Sequence, residues 1–219
     1  MASATLCAIC HKRKAKRHCP GVQGEICAQC CGTEREVTVD CPFDCSYLRE
    51  SRRYEADKVK LHAEDIPFPE IEVPDNFLYE HEQLIGQIGY RMLRYALENS
   101  RVVDNDVMDA LDKLTRTYQT QASGIYYESL PEGGHAVGLF RDVKKFLDER
   151  EEKQRQLGGI AAPKTSDLIR AFVFLLRLAM IHSNRRPRGR AFLDFLRQTF
   201  PEEAKAAAPE ESRLIIPGR

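Results

Sequence analysis

The chain has no tryptophan, no cysteine after Cys45, no net charge and no long apolar run. The longest apolar segment, Ala171 to Ile181, is interrupted by Arg177, so a membrane span is not expected. The opening MASATLCAIC lacks a basic stretch followed by an apolar one, so no secretory signal is read and a cytoplasmic location is expected. Thirty-three Lys and Arg balance thirty-three Asp and Glu, which removes any global pull toward nucleic acid or membrane. Catalytic signatures are also missing. There is no Gly-x-Gly-x-x-Gly, no Walker loop, no His-Glu-x-x-His and no Gly-x-Ser-x-Gly. Gly133-Gly134-His135 reads as a loop, His62, His81 and His182 as scattered helix residues, and Tyr126-Tyr127 as core packing, with groove lining as the alternative. No enzyme activity is expected.

What the sequence does have is eight cysteines within about forty residues: Cys7-x2-Cys10, Cys19, Cys27-x2-Cys30-Cys31 and Cys41-x3-Cys45. Three chemistries compete for them. Cys-x2-Cys pairs suit zinc, because both thiolates on a tight knuckle reach one metal at about 2.3 Å. A disulfide framework requires an oxidising compartment. An iron–sulfur cluster or redox dithiol has other spacings and a βαβ setting. Zinc fits best, and eight thiolates suffice for two tetrahedral ions.

The spacing Cys7-x2-Cys10-x8-Cys19-x7-Cys27-x2-Cys30 resembles the first half of a B-box zinc finger, and more loosely the HIT and MYND fingers. The resemblance implies a cross-brace of two Zn2+ ions over the first 45 or so residues. Carried over, Cys7, Cys10, Cys27 and Cys30 hold the first ion, and Cys19, Cys41 and Cys45 contribute to the second. The B-box pattern also wants a ligand where Val22 stands, and Cys31 is the spare thiolate for that vacancy. The stretch Cys41 to Leu48 is similar to one in small uncharacterised bacterial cysteine-rich proteins. His11 and His18 each adjoin a cysteine. They read as surface or neighbouring residues, with His18 as the alternative ligand.

Two basic clusters stand out in this neutral chain. Lys12, Arg13, Lys14, Lys16 and Arg17 form one, and Arg185, Arg186, Arg188 and Arg190 the other. Both are candidates for phosphate or nucleic-acid contact. For the first, the alternative is offset of thiolate charge, since residues 1–53 carry +3 from Lys, Arg, Asp and Glu, which becomes about −1 with eight thiolates and two zinc ions. For the second, the alternatives are an exposed turn or pairing with the acidic stretch Glu64–Glu82, which holds seven acids and no Lys or Arg.

The expected architecture is a small zinc-stabilised β-hairpin module followed by an all-α domain of about five helices. Residues 1–46 form the module, with hairpin arms at His18–Cys19 and Glu25–Cys27 and a strand over 35–40. Residues 47–75 supply a connecting helix, expected from Ser46 to His62, and an acidic strap whose three prolines keep it extended. Residues 76–200 form the helical domain. One helix, capped by Asp75 or Asn76, carries Leu84, Ile85, Ile88, Met92 and Ala96. A second, capped by Asp104 or Asn105, carries Val107, Leu111, Leu114 and Tyr118. A third begins near Ala136 and stops at Gly158-Gly159, a fourth over Asp167–His182 is apolar almost all round, and a fifth covers Arg190–Phe200. Residues 201–219 read as a mobile tail. The functional expectation is a non-enzymatic adaptor with a protein partner; nucleic-acid binding through residues 12–17 and 185–190 is the alternative, and an enzyme with an unrecognised helical-domain site the third.

Overall fold

A computed structural model describes residues 5–56, 62–125, 127–157 and 163–201. Strands β1 (Arg17–Cys19) and β2 (Gly24–Ile26) form an antiparallel hairpin that pairs Arg17 with Ile26 and Cys19 with Gly24. Eight α-helices follow: α1 (Ala28–Glu34), α2 (Ser46–Ala56), α3 (Asp75–Glu80), α4 (Glu82–Glu98), α5 (Asp104–Ala122), α6 (Gly134–Leu157), α7 (Thr165–His182) and α8 (Ala191–Thr199). A single 3-10 turn at Ala63–Asp65 precedes the strap. No helix is long and apolar enough to cross a membrane among the described residues.

The bundle is built from the apolar stripes. Helix α7 packs on α4, α5 and α8, and α5 lies between α7 and α6. Leu168, Ala171, Phe172, Leu175, Leu176 and Ala179 of α7 are buried, which places it centrally as its all-round apolar pattern demands. Phe172 meets Tyr118 of α5 edge to face at 5.3 Å. A bidentate ion pair, Arg91 to Asp142 at 2.6 and 2.5 Å, ties α4 to α6. The proline-rich strap lies on the bundle. The Arg177 guanidinium of α7 donates to the carbonyls of Pro67, Phe68 and Ile71, and Phe68, Ile71 and Val73 pack against the core.

Four expectations need correction. The helical domain has six helices rather than five, because the helix expected to open at Asp75 breaks at His81 into α3 and α4. The apolar spacing of Phe77, Leu84 and Ile88 runs straight through that break, so periodicity does not register it. The segment 35–40 is not a strand. Residues 36–38 turn, the N–H groups of Val37, Thr38 and Val39 all converge on the Glu34 carbonyl, and Glu36 sits at φ +52°. The helix α1 was not expected. Finally, Asp104 opens α5 but does not cap it: Val103 is the capping residue, and its N–H donates to the Asp106 carboxylate at 2.9 Å. The connecting helix is described to Ala56, residues 57–61 lie outside the described residues, and His62 is not helical; the expected stop at Gly158-Gly159 also lies outside them.

The cysteine module docks on the bundle through one buried acid. Glu36 is 1% exposed. Its carboxylate accepts from Arg52 Nη2 at 2.6 Å, Asn184 Nδ2 at 2.6 Å and the Arg190 backbone at 3.1 Å, while its carbonyl accepts from the Arg188 backbone at 2.9 Å. Arg52 also pairs with Asp194 at 2.8 Å. A second buried acid lies close by. The Asp104 carboxylate accepts from the N–H groups of Phe192 and Leu193, so it caps α8 from the start of α5.

Glu36→Ala is expected to lower unfolding free energy by about 3–5 kcal/mol in a urea titration, because it removes one of the two carboxylates on Arg52 and leaves the Asn184 amide and the Arg190 N–H without their acceptor. A loss under about 1 kcal/mol, the size of an ordinary surface change, would show that the carboxylate does not hold the two parts together. Asp104 gives a pH signature. Burial, against the pull of the Phe192 and Leu193 N–H groups and of Arg52, pushes its carboxyl up to about 7. The folded state therefore keeps this proton where the unfolded chain, with a value of about 4, has lost it. The contribution is complete below about 4 and is lost as pH rises through about 7. Asp104→Asn should flatten that part of the stability profile, measured as urea midpoints at pH 5 and 7.5. Parallel profiles would refute the assignment.

Candidate metal centre

Cys7, Cys10, Cys27 and Cys30 form one group whose sulfurs all lie within 4.8 Å of one another. Local backbone geometry builds it. Cys7 and Cys10 bracket a tight turn closed by the His11 N–H on the Cys7 carbonyl at 2.8 Å, with His11 in the left-handed region at φ +53°. Cys27 is the N-cap of α1, and its sulfur accepts from the Cys30 N–H at 3.4 Å. The hairpin brings the two pairs together, since the Ala8 N–H donates to the Glu25 carbonyl and the Lys16 N–H to that of Ile26. Cys7, Cys27, Cys30 and Ile26 are buried together as a small core of their own.

The electrostatics of the group call for a cation. Burial pushes the Cys7 thiol up, but the N–H groups of Cys10, Cys27 and Ile9 outweigh it and bring it down to about 6. The N–H groups of Lys12 and Arg13 lower Cys10. Cys30 is driven up to about 12, by burial first and then by its three neighbouring sulfurs. The cluster thus stabilises some thiolates readily and resists the full set. A divalent ion at the centre removes that resistance.

The second expected set is not closed in the same way. Cys19, Cys31, Cys41 and Cys45 form no comparable group among the described residues. Cys19 and Cys45 do lie near enough to Cys41 for their charges to act on it. Together with burial, the larger effect, and Glu36, they push its thiol up to about 11, with the Glu36 backbone N–H opposing. Gly21 lets the hairpin turn press on the Cys41 side: a Cβ there would sit 2.5 Å from the Asp40 carbonyl oxygen. Cys31 points to a different neighbour, accepting from Arg35 Nη2 at 3.8 Å. None of the eight cysteines is joined in a disulfide.

The histidines stand apart from the cluster. His18 is exposed on β1 and contacts Glu25 at 3.2 Å, and His11 is exposed in its turn. In the first basic cluster Lys12, Lys14 and Lys16 face solvent. Arg13 donates to the Cys10 sulfur at 3.9 Å, a contact that offsets thiolate charge, and Arg17 lies over the Tyr47 ring at 4.2 Å. The second basic cluster is engaged internally. Arg185 pairs with Asp65 of the acidic strap at 3.6 Å, Arg186 with Glu55 at 3.0 Å and with the Arg35 carbonyl, and Arg188 with Asp40 at 2.8 Å. Arg190 lies over the Phe43 ring at 3.9 Å. Elsewhere His182 stacks on Phe195 at 3.9 Å, His81 lies tilted against Phe77 at 4.5 Å, His135 is exposed, Tyr127 is exposed and Tyr126 lies outside the described residues.

Sequence reasoning missed Glu36 and Arg52, the residues that join the module to the bundle. An acid within the mixed run Thr33-Glu-Arg-Glu-Val-Thr-Val39 carries no signal of burial. Comparison with protein-family models, curated proteins and solved structures finds no match to this chain.

Cys27→Ser is expected to remove at least half of the metal that co-purifies with the chain, whereas His18→Ala and His11→Ala leave the content unchanged. Elemental analysis of the purified variants reads this directly. Unchanged metal in Cys27→Ser would place the ion elsewhere.

Proposed function

We propose that this chain is a zinc-braced, non-enzymatic adaptor whose helical domain receives a protein partner. For zinc, the support is geometric. Sulfurs at about 2.3 Å from a tetrahedral centre are about 3.8 Å apart, so a group within 4.8 Å fits one ion. A multi-iron cluster spreads its ligands over several metal atoms and needs a wider set. Four thiolates close the shell and leave no position for a substrate, which favours a structural ion over a catalytic one. Cysteines that serve as metal ligands rather than disulfides would be at home in a reducing compartment, and the cytoplasm is part of the proposal. We extend the proposal to a second zinc at Cys19, Cys41 and Cys45, with Cys31 as the remaining thiol of the module and the B-box-like cross-brace as the pattern. A metal content near two per chain supports it, and a content near one removes it.

The observation that carries the adaptor reading is a groove of about 570 Å3 between α3, α4, α7 and α8. Leu78, Ile85, Phe174, Leu178, Leu196 and Phe200 line it, and Glu82 stands at its edge. Such a groove suits an amphipathic helix that inserts bulky apolar side chains at i, i+3 and i+4 and carries basic residues opposite Glu82. Gly86 lies in the lining, and a Cβ there meets nothing within 4 Å. Gly86→Phe therefore fills the groove without disturbing the bundle. It is expected to abolish capture of a protein partner by the metal-replete chain while keeping the unfolding midpoint. If the captured species is nucleic acid, lost at high salt and indifferent to Gly86→Phe, the alternative function replaces this one.

A further inference from the structure

A separate cleft lies between α2 and α8, of about 610 Å3, a size typical of small-molecule sites. Arg49, Arg52 and Arg53 line one side and Arg197 the other, with Ile181 and Phe195 among the apolar lining. Two acids also line it, but both are already neutralised. Asp194 is paired with Arg52 at 2.8 Å and Arg197 at 3.0 Å, and Glu55 with Arg186 at 3.0 Å. Arg49 and Arg53 have no acidic partner among the described residues. They stand one helical turn apart, on the same flank of α2. The buried Arg52 Nε also lacks a hydrogen-bond partner among the described residues. The cleft is thus a recess with two uncompensated guanidinium groups beside a flat stacked pair, Phe195 and His182.

We propose that this cleft binds a small anionic molecule with a phosphate or carboxylate head and a flat ring. Guanidinium forks match either oxyanion bidentately, and Arg49 and Arg53 are the two free to do so. The ring packs against the Phe195–His182 pair. A small ligand is favoured over a nucleic-acid strand because Arg186, Arg188 and Arg190, which would extend a phosphate track, are committed to internal partners. The site stands apart from the apolar groove, although Phe195 borders both.

The test is calorimetric titration of the metal-replete full chain with adenosine 5′-monophosphate and, separately, with benzoate. The two arms distinguish a phosphate from a carboxylate head. Saturable binding of at least one probe is expected. It should weaken at least tenfold in the double variant Arg49→Ala/Arg53→Ala at an unchanged unfolding midpoint, and stay unaltered in Arg94→Ala, an exposed arginine remote from the cleft in α4. Failure of both probes overturns the proposal. So does binding that survives the double variant. A single-stranded oligonucleotide that binds more tightly than either probe through the same arginines overturns it in favour of a nucleic-acid surface.

Discussion

The most deeply buried link between the two parts of this molecule is one carboxylate. Glu36 stands in the left-handed region at φ +52°, where a residue other than glycine is strained. The strain aims its side chain at Arg52, Asn184 and the Arg190 backbone together. A buried acid with three donors is stable, whereas the same acid with one donor missing is costly. The joint is therefore cooperative. The tight turn after α1, the start of α2 and the loop between α7 and α8 hold their geometry together or not at all. That loop in turn anchors α5, through the Asp104 N–H on the Gly189 carbonyl.

The cysteine cluster sits one short helix away from this joint. Cys27 and Cys30 open α1, and α1 ends at Glu34, whose carbonyl collects the three N–H groups that shape the Glu36 turn. A central cation would ease the cluster's balance of thiolates, and the module's own hydrophobic core is only a few residues. A metal at the cluster thus fixes α1, and α1 fixes the strained turn that docks on the bundle. The chemistry at the sulfurs and the packing of the helices are linked in series.

Much of the helical domain was legible in the sequence because its signals are local. The stripe on α5 and the all-round apolar pattern of α7 translate directly into burial, and the four cysteines that converge are those the B-box resemblance implies. What was not legible is what depends on tertiary context. The run Arg35 to Asp40 alternates like a strand, yet the Glu34 carbonyl captures its N–H groups and bends it. The arginines of 185–190 offered a ligand surface, an exposed turn or pairing with the acidic stretch Glu64–Glu82, and charge alone does not choose among them. In the fold they meet Asp65, Glu55, Asp40 and Phe43. Arg49 and Arg53 attract no notice in a helix of mixed charge, and only the docking of α2 against α8 gives them a shared recess.

That docking separates the two recesses physically. The apolar groove is made by α3, α4, α7 and α8, all within the bundle, and its walls do not include the cysteine module. The arginine-lined cleft takes one wall from α2, which is held in place by Arg52 on Glu36 and Asp194. Loss of metal should leave the first nearly intact and dismantle the second, since the Glu36 turn follows α1 and α1 follows the cysteines. A metal at the cysteines would in this way support the proposed anionic-ligand site without touching it, while the neighbouring apolar groove, which shares Phe195 with the cleft, would not depend on it. A brace at the cysteines would then be more than a fastening for the N-terminus, because one of the two surfaces depends on the turn it supports and the other does not.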